Sequence, residues 1–274
     1  MKKNYLKTLL MVFVISLFTS SLFPQGVYVS VNAGYGINMS SHNLEYFGFY
    51  NYTSGNTSRT YEQVYVSLGK GLNFGGTFGL MFNKNLGAEL GVSYLLGGKS
   101  IAKDEYVGGT TDYTISSKML RLMPSIVIAS GLEGINPYAK FGLIISSGSI
   151  IFDLEDKDSG DISIMKVKFD GGLALGLNAG IGVQFNMSDN ISLFSEINMI
   201  SLSYAPTKGE VIEATYNGTD MLPDMTTRQK EAEFVDSYTY NSSSPPPDSQ
   251  PDQELKQKLP FGSFGVNFGL KIGF

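Results

Sequence analysis

The 274-residue sequence predicts an all-β fold, a closed antiparallel transmembrane β-barrel of about eight strands. Three observations predict it. Apolar residues recur at every second position in eight separate segments. The connections between those segments alternate between short and long. A leader of targeting type stands at the N-terminus.

The leader comes first in the chain. Lys2, Lys3 and Lys7 form a basic start, and Leu9 to Phe18 is an apolar run. At about ten residues the run is too short to span a bilayer as a helix, but it suits a signal-peptide core. Residues 1–25 are therefore expected to be a Sec signal peptide, cleaved near Ser21 or near Gln25. No later segment approaches about 18 continuous apolar residues, so no spanning helix is expected.

The alternating segments follow. Val27, Val29, Val31, Ala33, Tyr35 and Ile37 form the first, then Leu72 to Phe82 and Ala88 to Tyr94. Leu120 to Ile128 and Ala139 to Ile145 come next, then Leu173 to Phe185 and, least regular, Leu193 to Met199. The clearest is the last, with Phe264, Val266, Phe268, Leu270, Ile272 and Phe274. A side-chain period of two means strands with one apolar and one polar face. Asn83–Asn85, Ser130–Asn136 and Met187–Asn190 read as short turns. Long loops are expected at about 40–69, 98–112, 151–167 and 205–260, so the barrel domain spans 26–274 with short periplasmic turns and long extracellular loops.

Alternation alone does not say which face is inside. A lipocalin-like soluble barrel would turn the apolar face inward. Here the polar face is mostly Gly, Ser, Asn and Thr, with few charges. Glycine weakens a water-exposed strand, whereas small side chains are what a narrow eight-stranded lumen holds. The membrane orientation is the one expected.

Composition excludes several classes. With no cysteine there are no disulfides and no cysteine-ligated metal. The net charge of −5 becomes −8 once the leader's three lysines are removed, which is unsuited to nucleic acid. No catalytic or cofactor motif stands out, so neither an enzyme nor a cofactor is expected.

The polar face carries Glu89, Arg121, Lys140, Glu196 and Lys271. In a small lumen these must pair. Strand adjacency suggests Glu89 with Arg121 and Glu196 with Lys271, either as an electrostatic gate or, preferred, as a plug. His42, beside Ser40 and Ser41, lacks a catalytic motif around it and reads as a surface histidine. Residues 153–161 are dense in acids but miss the EF-hand spacing, so a solvated loop tip is expected. Tyr46, Phe47, Phe49, Tyr50 and Tyr52, with Tyr61 and Tyr65, read equally as surface anchors for a protein or glycan and as an aromatic girdle packed against other loops. Ser242–Gln250 is proline-rich and unsuited to a core.

Taken with the leader, the strand opening Asn136-Pro137-Tyr138, the stretch Leu193–Glu196 and the ending Val266–Phe274 make the chain resemble the bacterial outer-membrane protein β-barrel domain family, the small OmpA-, OmpX- and PorT-like barrels. The resemblance covers about 26–274. It implies residence in the outer membrane of a Gram-negative-type bacterium, contact with its lipid, and a C-terminal signal read by the barrel-assembly machinery through Leu270, Ile272 and Phe274. The absence of tryptophan and the size of the fourth long loop depart from the smallest members. The expectation is a non-enzymatic barrel whose surface loops support envelope integrity or bind or adhere to an external partner. A narrow pore for ions or small solutes is the alternative, and a lipid-modifying enzyme the remote one.

Overall fold

The computed structural model describes residues 26–39, 42–44, 49–55, 57–243 and 245–274. The leader and its cleavage site, Ser40, Ser41, Tyr46, Phe47 and the side chain of His42 lie outside the described residues.

Eight long strands follow one another: β1 (Gly26–Asn38), β2 (Gly71–Met81), β3 (Leu86–Gly97), β4 (Gly109–Ala129), β5 (Ile135–Asp158), β6 (Ala174–Asn186), β7 (Ile191–Ser201) and β8 (Ser263–Gly273). Each pairs antiparallel with its sequence neighbours, and β8 pairs with β1, so the strands make a ring. Starting at Gly26, ladder partners run through Met81, Gly87, Val127, Lys140, Gly180, Asn198 and Gly265, and return to β1 at Gly36. That offset of ten residues is the shear of the ring, and it tilts the strands to roughly 35–45°.

The faces follow the alternation. Val31, Phe74, Leu90, Leu120, Ile126, Phe141, Leu175, Ile181, Leu193 and Phe268 all point outward and stay largely exposed. Ser30, Asn73, Ser93, Arg121, Asn178, Glu196 and Asn267 point inward and are buried. An apolar belt on every strand around a polar interior is the arrangement lipid demands. Ring closure also gives every belt strand a ladder partner on both edges, and at the ladder break beside Pro124 the Asn178 side-chain amide donates to the Leu143 carbonyl.

Small residues let the interior close up. Tyr28 lies directly opposite Gly79, Tyr138 opposite Gly182 and Phe194 opposite Gly269. Each ring occupies the space where the facing residue's Cβ would be.

Two of the expected loops are largely strand. β4 and β5 run 21 and 24 residues, against about 9–11 needed to cross a bilayer. Beyond the belt, β5 pairs with Asp161–Asp170, which pairs with Lys208–Tyr216, then Glu231–Val235 and Asp252–Leu255. On the other side β4 pairs with Ser100–Tyr106, then Tyr50–Ser54 and Arg59–Gln63. Together, leaving aside the two-residue strand Thr219–Asp220 that pairs with Lys208–Tyr216, they make a nine-stranded sheet rooted in the barrel wall. Two-residue turns at Val107-Gly108, Ser159-Gly160 and Asn217-Gly218 close its hairpins. In the last two turns both residues have positive φ, as mirror-type hairpin turns require. Residues 236–251 are mostly exposed and carry no regular element among those described.

Candidate functional site

The lumen has three levels. At the short-turn rim a cavity of about 470 Å³ opens between the turns, lined by Tyr28, Glu89, Tyr138, Lys140, Phe194 and Lys271 among others. Its floor is a connected polar network centred on Lys140. The Lys140 ammonium lies 2.7 Å from Glu196 and 4.0 Å from Glu89. The Tyr28 hydroxyl donates to Glu89 at 2.5 Å, and the Tyr138 hydroxyl donates to Glu196 at 3.1 Å. Asn267 donates its amide to Glu196 at 3.4 Å. Lys271 sits 3.5 Å above the Tyr28 ring centroid and donates to Gln184 at 3.1 Å. One cation between two carboxylates, each with a further donor, meets the requirement that buried charge be paired and hydrogen-bonded.

The pairing inferred from strand adjacency is therefore corrected. Glu89 faces Ser125 in the β3–β4 ladder, and Arg121 faces Ser93 and Ser146. Glu196 faces Asn267, whereas Lys271 faces Ser192. The expected partners sit at different heights, and Lys140 reaches both acids instead.

Arg121 occupies the second level with Asn73, Ser93, Asn178 and Asn198, above the network and around a cavity of about 40 Å³. It is 2% exposed.

The third level closes the long-loop mouth. Lumen-facing Leu95, Met119, Ile144, Ile150 and Ile200 join Val66, Leu68, Leu202, Tyr204, Leu259 and Phe261 from the connections in one buried apolar cluster. Polar bonds fasten it. The Ser117 hydroxyl donates to the Leu68 carbonyl at 2.7 Å, the Ser67 hydroxyl donates to the Gly262 carbonyl, and Tyr204 donates to the carbonyls of Gly148 and Gly171. Tyr204 and Phe261 meet edge-on at 5.7 Å. Polarity readings at the sequence level missed this stopper. Its signal was present, since Ile144 and Ile150 share the face of Lys140.

Outside the membrane, the sheet has two unlike faces. One turns Ile115, Phe152 and Phe49 onto the stopper, with Phe49 and Phe152 centroids 6.4 Å apart. Phe49 is fully buried, which corrects its reading as a surface aromatic. Tyr50 and Tyr52 are half-buried and pack on exposed Tyr61. Burial raises the Asp104 carboxyl above its ordinary value, and the Tyr113 phenol beside it is pushed up to about 12 by burial and the Asp104 charge. The other face carries charge: Lys166 bridges Asp153 at 3.5 Å and Glu213 at 2.6 Å, and Lys168 pairs with Asp170.

The acids of 153–161 are spread along a hairpin. Asp156 accepts from Tyr106 and Thr111, and Asp161 from Tyr216 and Asn217. Among the described residues no group of three or more acids, histidines or cysteines is placed to hold a metal. The backbone of His42 pairs with Val66. Leu270, Ile272 and Phe274 line the lipid side of the β8 end, where the Phe274 amide donates to the Val27 carbonyl at 2.8 Å.

A ring of eight tilted strands, apolar outside and polar inside, defines a small outer-membrane β-barrel, resident in the outer membrane and embedded in its lipid. The outer membrane protein beta-barrel domain family matches residues 65–221, and the chain belongs to that family. No curated protein matches the chain at a significant level. Among solved structures, Neisserial surface protein A (NspA) is 11% identical with a TM-score of 0.40, over 90% of this chain and 97% of its own. Ail, the attachment invasion locus protein of Yersinia pestis, is 12% identical with a TM-score of 0.37, over 91% and 98%. CarO of Acinetobacter baumannii is 13% identical with a TM-score of 0.33, over 93% and 100%.

Proposed function

We propose that the chain is a non-enzymatic surface barrel that presents its extracellular sheet to an external protein or glycan, or braces the envelope through it. The observation that carries this reading is the nine-stranded sheet standing beyond the lipid belt on β4 and β5. Strands prolonged to twice the span of a bilayer do nothing for membrane insertion. Their outward face is a ladder of charges whose ion pairs are partly exposed and add little stability, so its composition is free to serve recognition. The stoppered mouth supports the same reading, because it leaves the lumen as a stiff foundation in place of a conduit.

On this reading residues 1–25 direct Sec export, and Leu270, Ile272 and Phe274 are what the assembly machinery reads. The test replaces residues 154–165 by Asn-Gly, joining Asp153 to Lys166, and measures adhesion of cells displaying either form to immobilised host-matrix proteins and glycans. Lost adhesion with a barrel still folded by heat-modifiable gel mobility is the expected result. Equal adhesion of the two forms to every ligand tested, with the wild type adhering, removes the distal sheet from the function.

A further inference from the structure

Between the turn rim and the stopper, the lumen-facing strand positions carry five charged residues. Glu89 and Glu196 are offset by Lys140 and Lys271 within the network described above. Arg121 is left over, an excess of one positive charge. Its Nε and Nη2 are buried without a hydrogen-bond partner among the described residues. The hydroxyl of Ser146, its ladder partner on β5, is likewise buried and unpartnered. A guanidinium removed from water with neither counter-charge nor acceptor is a costly arrangement, and it is relieved by an anion.

The space for one is there. The 40 Å³ cavity beside Arg121 exceeds the roughly 10–15 Å³ that admits a single water, which leaves room for a small ion. It shares Asn32, Thr77, Lys140, Glu196 and Asn267 with the larger cavity at the turn rim, so one layer of polar side chains separates it from the space open to the periplasmic side. The charge balance calls for a single negative charge, and the carboxylate of Glu196 on the same wall disfavours more. We propose that Arg121 binds one small monovalent anion of the halide class in this cavity inside the barrel.

Bromide serves as the probe. Crystals of the folded protein soaked in bromide should give an anomalous peak within hydrogen-bonding reach of the Arg121 guanidinium. In detergent, replacing gluconate by chloride at fixed ionic strength should raise the thermal unfolding midpoint by several degrees, saturably. Arg121→Met should abolish both responses. Should that variant not fold, the wild-type measurements decide alone. A wild-type crystal without bromide at Arg121, or a midpoint indifferent to halide, overturns the proposal.

Discussion

Lys140 is the residue on which the lumen's electrostatics turn. It is the only cation of the network within ion-pairing distance of both Glu89 and Glu196. Replacing it by alanine leaves two carboxylates in a confined polar interior, and removing one partner of a buried pair costs on the order of 3 kcal/mol. Denaturant unfolding of Lys140→Ala in lipid vesicles should show a loss of that size. Adding Glu89→Gln and Glu196→Gln to it should recover most of the loss. The facing glycines make a second, steric test. A methyl at Gly79 meets the Tyr28 ring, and overpacking of this kind costs about 1–3 kcal/mol. Gly79→Ala should fall in that range, and Gly79→Ala with Tyr28→Ala should restore room, as a double-mutant cycle would show. All five lumen charges were legible in the sequence, because alternation assigns each to the polar face. Their partners were not. Glu89 and Arg121 lie on adjacent strands, but Ser125 rather than Arg121 faces Glu89, and four residues of strand put the two about 13 Å apart. Register decides contact, and register depends on where each turn begins and on the shear of the whole ring.

At the scale of elements, the long connections are where the sequence said most and was heard least. Ser159-Gly160 and Asn217-Gly218 are two-residue hairpin signals, and both close hairpins of the extracellular sheet. Treating 151–167 as a loop overlooked this, because its charges alternate with Leu154, Ile162 and Ile164 too weakly for an apolar stripe to emerge. Those charges are satisfied across strands, by pairs such as Lys166 with Asp153 and Glu213. The tips of two neighbouring hairpins are also tied together: Tyr216 and Asn217 donate to Asp161 at 2.6 and 2.8 Å. Those hydrogen bonds, from Tyr216 first and Asn217 second, hold the Asp161 carboxyl below its ordinary value. The sign follows directly. A depressed carboxylate contributes above its ordinary pKa of about 3.9 and loses that contribution as pH falls through the lowered value. Amide exchange at Ile162 and Asn217 should therefore accelerate, relative to neighbouring strands, as the medium is acidified below about pH 4. Asp161→Asn should flatten that dependence.

For the molecule as a whole, the class of fold was legible from one periodicity repeated eight times, and orientation from the glycine-rich character of the polar face. The stopper was not, because its members come from four places at once: lumen positions such as Met119 and Ile144, and the segments Val66–Leu68, Leu202–Tyr204 and Leu259–Phe261. No local pattern announces a core assembled from such distant parts. Its presence makes a plain prediction. The refolded protein in a planar bilayer should be electrically silent, and Arg121→Ala should leave it silent, since apolar packing rather than the charged level closes the mouth. Reproducible conductance steps in the wild type would restore the narrow-pore reading.

The seam of the ring has a consequence for biogenesis. β1, the first strand of the barrel, finds one of its two neighbours only in β8, which leaves the ribosome after all seven others. Until then both ends of the growing sheet are open edges, and open edges invite pairing with other chains. The ring can therefore close only when its last segment arrives to join β1. A frameshift or premature stop between Ser201 and Ser263 would spare seven strands in eight and still yield no barrel.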